Sequence, residues 1–118
     1  MARIDHVAFE TDDPDALAAF YERILGARVV NAEGHPVMAY LGNTGLALHD
    51  RGGPGIHTAV RVSEEERGEI RERLDREGIE ANERDHGVGV GLFFEDPDGN
   101  LIEAITYHGG EAPRRAKP

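Results

Sequence analysis

The chain has 118 residues, no cysteine and a formal net charge of −10 at pH 7. That length suits one domain with one core, and phosphate binding needs a cationic face that so acidic a chain is not expected to offer, so nucleic acid is not an expected partner. Without cysteine there is no disulfide, no thiol nucleophile and no zinc finger, and the single lysine, Lys117, lies in the tail, which rules out Schiff-base chemistry at an internal lysine.

No run approaches the ~18 consecutive apolar residues of a membrane helix, so no membrane partner is expected. A strand pattern begins at residue 3, leaving no room for a signal peptide, and a cytoplasmic location is the expectation. Residues 3–10 alternate apolar and polar, as a half-buried strand does. Asp13-Pro14 supplies an N-cap and a proline at the first helical position. Leu17, Phe20, Tyr21, Ile24 and Leu25 then form one apolar helix face, which Gly26 ends. Three short strands are predicted around 27–31, 36–42 and 45–49, with His35 solvated in a loop between the first two.

After Gly52-Gly53-Pro54 the pattern starts over. Residues 55–62 read as a strand, and Ser63-Glu64-Glu65-Glu66 is a capping box. The helix runs to Glu77 with Glu69/Arg73 and Glu72/Arg76 pairs, and Gly78 closes it. Gly68, inside this helix, costs ~1 kcal/mol relative to alanine, and nothing in the sequence accounts for it. Strands near 79–83, 88–95 and 100–107 complete the unit. The fold class is α+β: two tandem βαβββ modules, 3–50 and 55–107, in a single domain over 1–108, with 109–118 a flexible tail.

The first strand of each module carries a histidine, in Ile4-Asp5-His6-Val7-Ala8 and in Ile56-His57-Thr58-Ala59-Val60. A third stretch, Phe94-Glu95-Asp96-Pro97-Asp98-Gly99-Asn100-Leu101-Ile102-Glu103, is a hairpin that delivers a glutamate onto the last strand. Asp96-Pro97-Asp98-Gly99 fits a type I turn, and a one-residue slip there would turn Glu103 to the opposite face. Alternation puts His6 with Ile4 and Ala8, and His57 with Ala59 and Arg61. Two histidines and one glutamate on three strands are the donor set of a half-open metal site. Such a set leaves two or three positions on a six-coordinate ion for a substrate that chelates through adjacent oxygens. Taken one at a time, each residue has a plainer role as a structural strand histidine or a solvated glutamate.

His86-Gly87-Val88-Gly89-Val90-Gly91-Leu92-Phe93 feeds a strand rather than a helix and has neither nucleotide-loop spacing. Gly87, Gly89, Gly91 and Phe93 share one face, which reads as the floor of a cup or as a flexible strand entry. Val88, Val90, Leu92 and Phe94 share the other face and are expected to pack under a helix. Arg61 either holds an anionic substrate or reaches solvent from its strand end. Tyr40 is a pocket residue or plain core. His86 and His108 are expected to be solvated.

The duplicated βαβββ module, His6 and its repeat His57, and the Phe-x-Asp-Pro-Asp-Gly-Asn-x-x-Glu hairpin ending at Glu103 resemble the vicinal oxygen chelate superfamily over residues 3–107. That group holds glyoxalase I, extradiol ring-cleaving dioxygenases, methylmalonyl-CoA epimerase, fosfomycin-resistance enzymes and bleomycin-binding proteins. The resemblance implies a cupped mixed sheet and a metal held by His6, His57 and Glu103. It implies one divalent ion per site (Fe2+, Mn2+, Ni2+ or Zn2+), a small-molecule substrate, and a homodimer whose modules pair either within each chain or between chains, the latter bringing His6 of one chain to His57 and Glu103 of the other.

Where the second module has Ile102-Glu103-Ala104, the first has Leu46-Ala47-Leu48. Four-ligand members carry Glu or Gln at that point, so Ala47 speaks for a three-ligand site and against a glyoxalase or an epimerase. His49, two residues on, is either an acid–base group beside the site or an exposed strand-end histidine. Met38-Ala39-Tyr40-Leu41 resembles a stretch that supplies a pocket tyrosine in the fosfomycin-resistance branch, which makes Tyr40 a second catalytic candidate. Ala8 stands where thiol-transferring fosfomycin enzymes carry Thr, and Phe93 where extradiol dioxygenases carry an acid–base Tyr. The expected pocket wall is Ala8, Ala47, Arg61, Gly89, Gly91 and Phe93. The function this implies is a metal-dependent, dioxygenase-like enzyme. The alternative is a non-catalytic drug- or metabolite-binding protein of the bleomycin-resistance type.

Overall fold

The computed structural model describes residues 2–31 and 36–110; His35 and the part of the expected tail from 111 onward lie outside the described residues. The first module contributes β1 (Arg3–Thr11), α1 (Pro14–Leu25), β2 (Arg28–Val30), β3 (Val37–Leu41) and β4 (Thr44–Asp50). The second contributes β5 (His57–Arg61), α2 (Glu64–Arg76), β6 (Ala81–Asp85), β7 (Gly89–Glu95) and β8 (Leu101–Tyr107). All eight strands form one mixed sheet in the order β2-β3-β4-β1-β5-β8-β7-β6. The order is palindromic. Each module pairs its first and last strands in parallel (β1 with β4, β5 with β8), and the modules join where β1 runs antiparallel to β5.

Both helices start as their sequences dictate. Asp13 accepts from the Ala16 amide ahead of Pro14, and Ser63 and Glu66 close a reciprocal capping box. Past the end of α2, the Ile79 amide reaches the Leu74 carbonyl and Ile79 packs in the same cluster as Leu74. This Schellman arrangement uses up the residues just after Gly78. It explains why β6 starts at Ala81, two residues later than the strand predicted over 79–83.

Under α2 lies one core cluster, in which Leu92, Ala104 and Val62 pack with Leu74, Ile70 and Phe94. The α1 stripe is less buried than its periodicity suggests. Leu17 and Tyr21 are half-buried, but Phe20, Ile24 and Leu25 are 43, 62 and 51% exposed. The two sheet edges differ from the centre. β2 is three residues long, and β6 exposes Asn82, Glu83, Arg84 and Asp85 in succession.

Simple alternation fails on β1. Register with β5 runs Arg3↔Arg61 and Ile4↔Val60, then resumes at His6↔Ala59, so Asp5 is an extra, bulged residue. The bulge turns both Asp5 and His6 inward and leaves Ile4 54% exposed, not on the His6 side as alternation predicts.

Candidate metal centre

The sheet register places the three donors. His6 lies opposite Ala59, and Ala59 lies opposite Glu103, so one row crosses β1, β5 and β8 with a methyl group between two ligands. His57 sits two residues before Ala59, opposite Ala8. The β7–β8 turn sets the end of this row. Asp96 Oδ1 accepts from the amides of Asp98 and Asn100, and the Asn100 side-chain amide returns to the Asp96 carboxylate. Gly99 takes the positive φ of 86° that the turn needs. Glu95↔Leu101 and Phe93↔Glu103 follow, so Glu103 faces the histidines.

His6, His57 and Glu103 are all buried and can present donor atoms within 4.8 Å of one another. Glu103 Oε1 lies 3.2 Å from His57 Nε2 and 3.8 Å from His6 Nε2. The outer nitrogens settle the tautomers. His6 Nδ1 donates to Asp5 Oδ2 at 2.8 Å, and His57 Nδ1 donates to the Gly55 carbonyl at 2.8 Å. A neutral imidazole carrying its proton on Nδ1 turns a lone pair inward from Nε2. Burial alone would raise the Glu103 carboxyl, but hydrogen bonds from His57 and His86 and the charges of His6 and His86 outweigh it and hold it at about 2. Two imidazole nitrogens and a carboxylate oxygen thus converge in a buried space. That arrangement repels itself unless a cation or an added proton lies between the donors.

Asp5 anchors the outside of His6. Burial would raise its carboxyl, but hydrogen bonds from His6 and Tyr107 and the charges of His6 and Arg61 bring it down to about 2. Tyr107 donates to Asp5 Oδ2 at 2.5 Å, and Arg61 Nη2 lies 3.2 Å from Oδ1. Burial and the Asp5 charge push the Tyr107 hydroxyl far above its usual range, so it stays a donor. Arg61 is therefore turned to Asp5 and stacked over Tyr107, with 5.0 Å from its guanidinium carbon to the ring centre, rather than aimed at a substrate. It lines a separate cleft with Arg3 and Arg67.

A cavity of about 160 Å³ opens over the three donors, walled by Met38, Ala47, Phe93 and Ile105, with His49 and His86 beside the ligands. His49 is half-buried here, its ring 6.1 Å from that of His57, and is not an exposed strand-end histidine. Tyr40 and Ala8 do not line the cavity; they are buried with Met38 and Ala47 in an apolar cluster, and the Arg28 guanidinium covers the Tyr40 ring. The expected glycine floor is corrected too. A Cβ on Gly89 would strike the backbone of Thr106 and Tyr107, and one on Gly91 would strike Glu103, so both glycines admit neighbouring atoms rather than open space. Val88, expected under a helix, packs instead with Ala59, Ile105 and Tyr107 on the cavity side.

His86 is the residue whose role the sequence hid. Read as solvated, it brings Nε2 to 2.9 Å from Glu103 Oε2. His108 stays exposed, near Asp85. All three donors meet within one chain, so the geometry closes without the exchange of His6 between two copies.

The model of the Glyoxalase/Bleomycin resistance protein/Dioxygenase superfamily matches residues 3–104. The chain belongs to this superfamily. Among similar members, a lactoylglutathione lyase from Neisseria meningitidis serogroup A is 29% identical, over 92% of this chain and 94% of its own length. Biphenyl-2,3-diol 1,2-dioxygenase 2 from Rhodococcus globerulus is 32% identical over 83% of this chain, which spans only 59% of that protein. The structure of methylmalonyl-CoA epimerase from Mycobacterium tuberculosis superposes with a TM-score of 0.66 at 24% identity, over 98% of this chain and 91% of that one, which establishes the shared fold. Among the described residues, no helix is long and apolar enough to cross a membrane.

Proposed function

We propose that this superfamily member is a divalent-metal enzyme in which His6, His57 and Glu103 hold one ion and a compact substrate chelates it through adjacent oxygens. The observation that carries this reading is the convergence of the buried His6 and His57 imidazoles and the Glu103 carboxylate, which can present donor atoms within 4.8 Å of one another. Such a set suits Fe2+, Mn2+, Ni2+ or Zn2+, and when bound the ion supplies Lewis-acid polarisation of the chelating oxygens. Asp5 and the Gly55 carbonyl hold the two imidazoles in place. His49, on the cavity wall, is the group able to move a proton at a bound substrate, a role closed to Phe93.

The substrate is small and largely apolar, since the cavity is compact and no arginine or lysine lines it among the described residues. Dioxygenase-like chemistry on Fe(II) or Mn(II) is favoured over the lyase and epimerase activities. The likeness to an enzyme of biphenyl-2,3-diol supports a vicinal diol, and Ala47 supplies no fourth ligand. The exposed Phe20, Ile24 and Leu25 of α1 support a homodimer, which sedimentation equilibrium would read directly.

Elemental analysis of untagged protein beside His57→Ala tests the centre. About one Fe, Mn, Ni or Zn per chain, lost in the variant, is the expected result. Absence of metal from both samples, with none taken up on reconstitution, would overturn it in favour of a metal-free binding protein.

A further inference from the structure

We propose that His86 is a positioning residue that ties down the outer oxygen of Glu103 and so keeps this carboxylate a one-oxygen ligand. The inference rests on the metal-centre reading above and extends it to how many positions stay open for substrate. Oε1 and Oε2 of Glu103 have separate partners. Oε1 faces His57 and His6 at 3.2 and 3.8 Å, whereas Oε2 faces His86 Nε2 at 2.9 Å. An ionised carboxylate only accepts, so His86 is the donor.

The surroundings are built for this bond. A Cβ on Gly91 would collide with Glu103 Oε2 and come within 2.9 Å of His86 Nε2, so the glycine clears the volume in which the two groups meet. The backbone before β7 is fixed as well: the His86 amide donates to the Gly89 carbonyl at 2.8 Å and the Gly87 amide to Asp85 Oδ1 at 2.8 Å. Phe93 sets its ring edge-on to both His57 and His86, with centroids 5.5 and 5.8 Å apart. One aromatic side chain therefore spaces an inner ligand from the group that holds the opposite side of Glu103.

A carboxylate whose second oxygen is freed can chelate the ion through both oxygens and take up a position that a bidentate substrate needs. The test is Co(II) loaded into wild type, His86→Ala, His86→Gln and Gly91→Ala, read by visible absorption and by Co(II) titration. Co(II) bands lose intensity as coordination number rises. His86→Ala is expected to weaken the bands and to raise the Co(II) dissociation constant ~10-fold. Gly91→Ala should shift the spectrum the same way, because the new methyl group occupies the bonding space. His86→Gln, which retains an N–H donor, should restore much of the wild-type spectrum. A His86→Ala spectrum and affinity equal to wild type, in a chain that takes up Co(II), would overturn the role of His86 alone. Failure of wild type to take up Co(II) at all would overturn the metal centre and this inference with it.

Discussion

The two modules share one backbone plan, and one matching register point shows how they diverge. Ala8 lies opposite Ala47 in the first, and Ala59 lies opposite Glu103 in the second. Around Ala47 the space is filled by Met38, Tyr40 and Ala8, an apolar cluster with no ligand oxygen. Around Glu103 it holds His57, His86 and Phe93 across a glycine-cleared gap. Met38, opposite Ala47, answers to Phe93, opposite Glu103. Duplication supplied two equivalent corners; side chains made one a hydrophobic wall and the other a donor set.

Ala47→Glu breaks that comparison most severely. It places a carboxylate at the point matching Glu103, in a position that is 1% exposed. Without metal, the unpaired buried charge should cost ~3–5 kcal/mol in urea denaturation. With Co(II) or Zn(II) present, much of that loss should return, because a fourth oxygen then reaches the ion. A cost unchanged by metal would mean that the two corners do not face one centre.

Asp5, for which the first strand of the second module has no counterpart, sharpens the comparison next. Asp5→Ala leaves the half-buried Arg61 and the buried Tyr107 hydroxyl without their carboxylate and should destabilise by ~3 kcal/mol. The acid response of wild type carries the same group. The folded carboxyl sits at about 2, below its ordinary 3.8, so its contribution is whole above about pH 4 and disappears as pH falls through 2. That difference corresponds to ~2 kcal/mol. Stability curves of wild type and Asp5→Asn between pH 5 and pH 2 should therefore converge toward the acid end; parallel curves would remove Asp5 as the source.

The helices give the smallest effect. α1 is rich in alanine, whereas α2 carries Gly68, around which nothing lies within 4 Å. Gly68→Ala should raise the melting temperature slightly, through a gain of up to ~1 kcal/mol. A loss would point to a contact made by this face outside the single chain.

The modular order, both helix caps and the Asp96–Asn100 turn were legible because each rests on local chemistry: alternation, capping residues, and a turn that fixes register. His6, His57 and Glu103 could each be assigned to a strand, but that they belong to one site rested on the family resemblance. What could not be read were contacts created by a departure from periodicity or by a long closure. The bulge at Asp5 overrides alternation, and only the β1–β5 register reveals it. His86 is 17 residues from Glu103, and its partner becomes visible only when β7 folds onto β8. Arg61 shares a face with His57 by alternation but is claimed by Asp5, a residue from the other module. Gly91 offered one signal that could have found His86: a missing side chain next to a ligand strand marks where something else must fit.

The ends of the sheet bear on how copies of this protein meet. An open sheet of eight strands has two rows of free backbone groups, each a template for another chain. Here one end is a strand of three residues and the other carries consecutive charged side chains on Glu83, Arg84 and Asp85. Arg67 and Arg71 of α2 both reach Glu83 at 3.5 Å, placing helix side chains along that border. The short strand at one border and the charges at the other both disfavour strand addition.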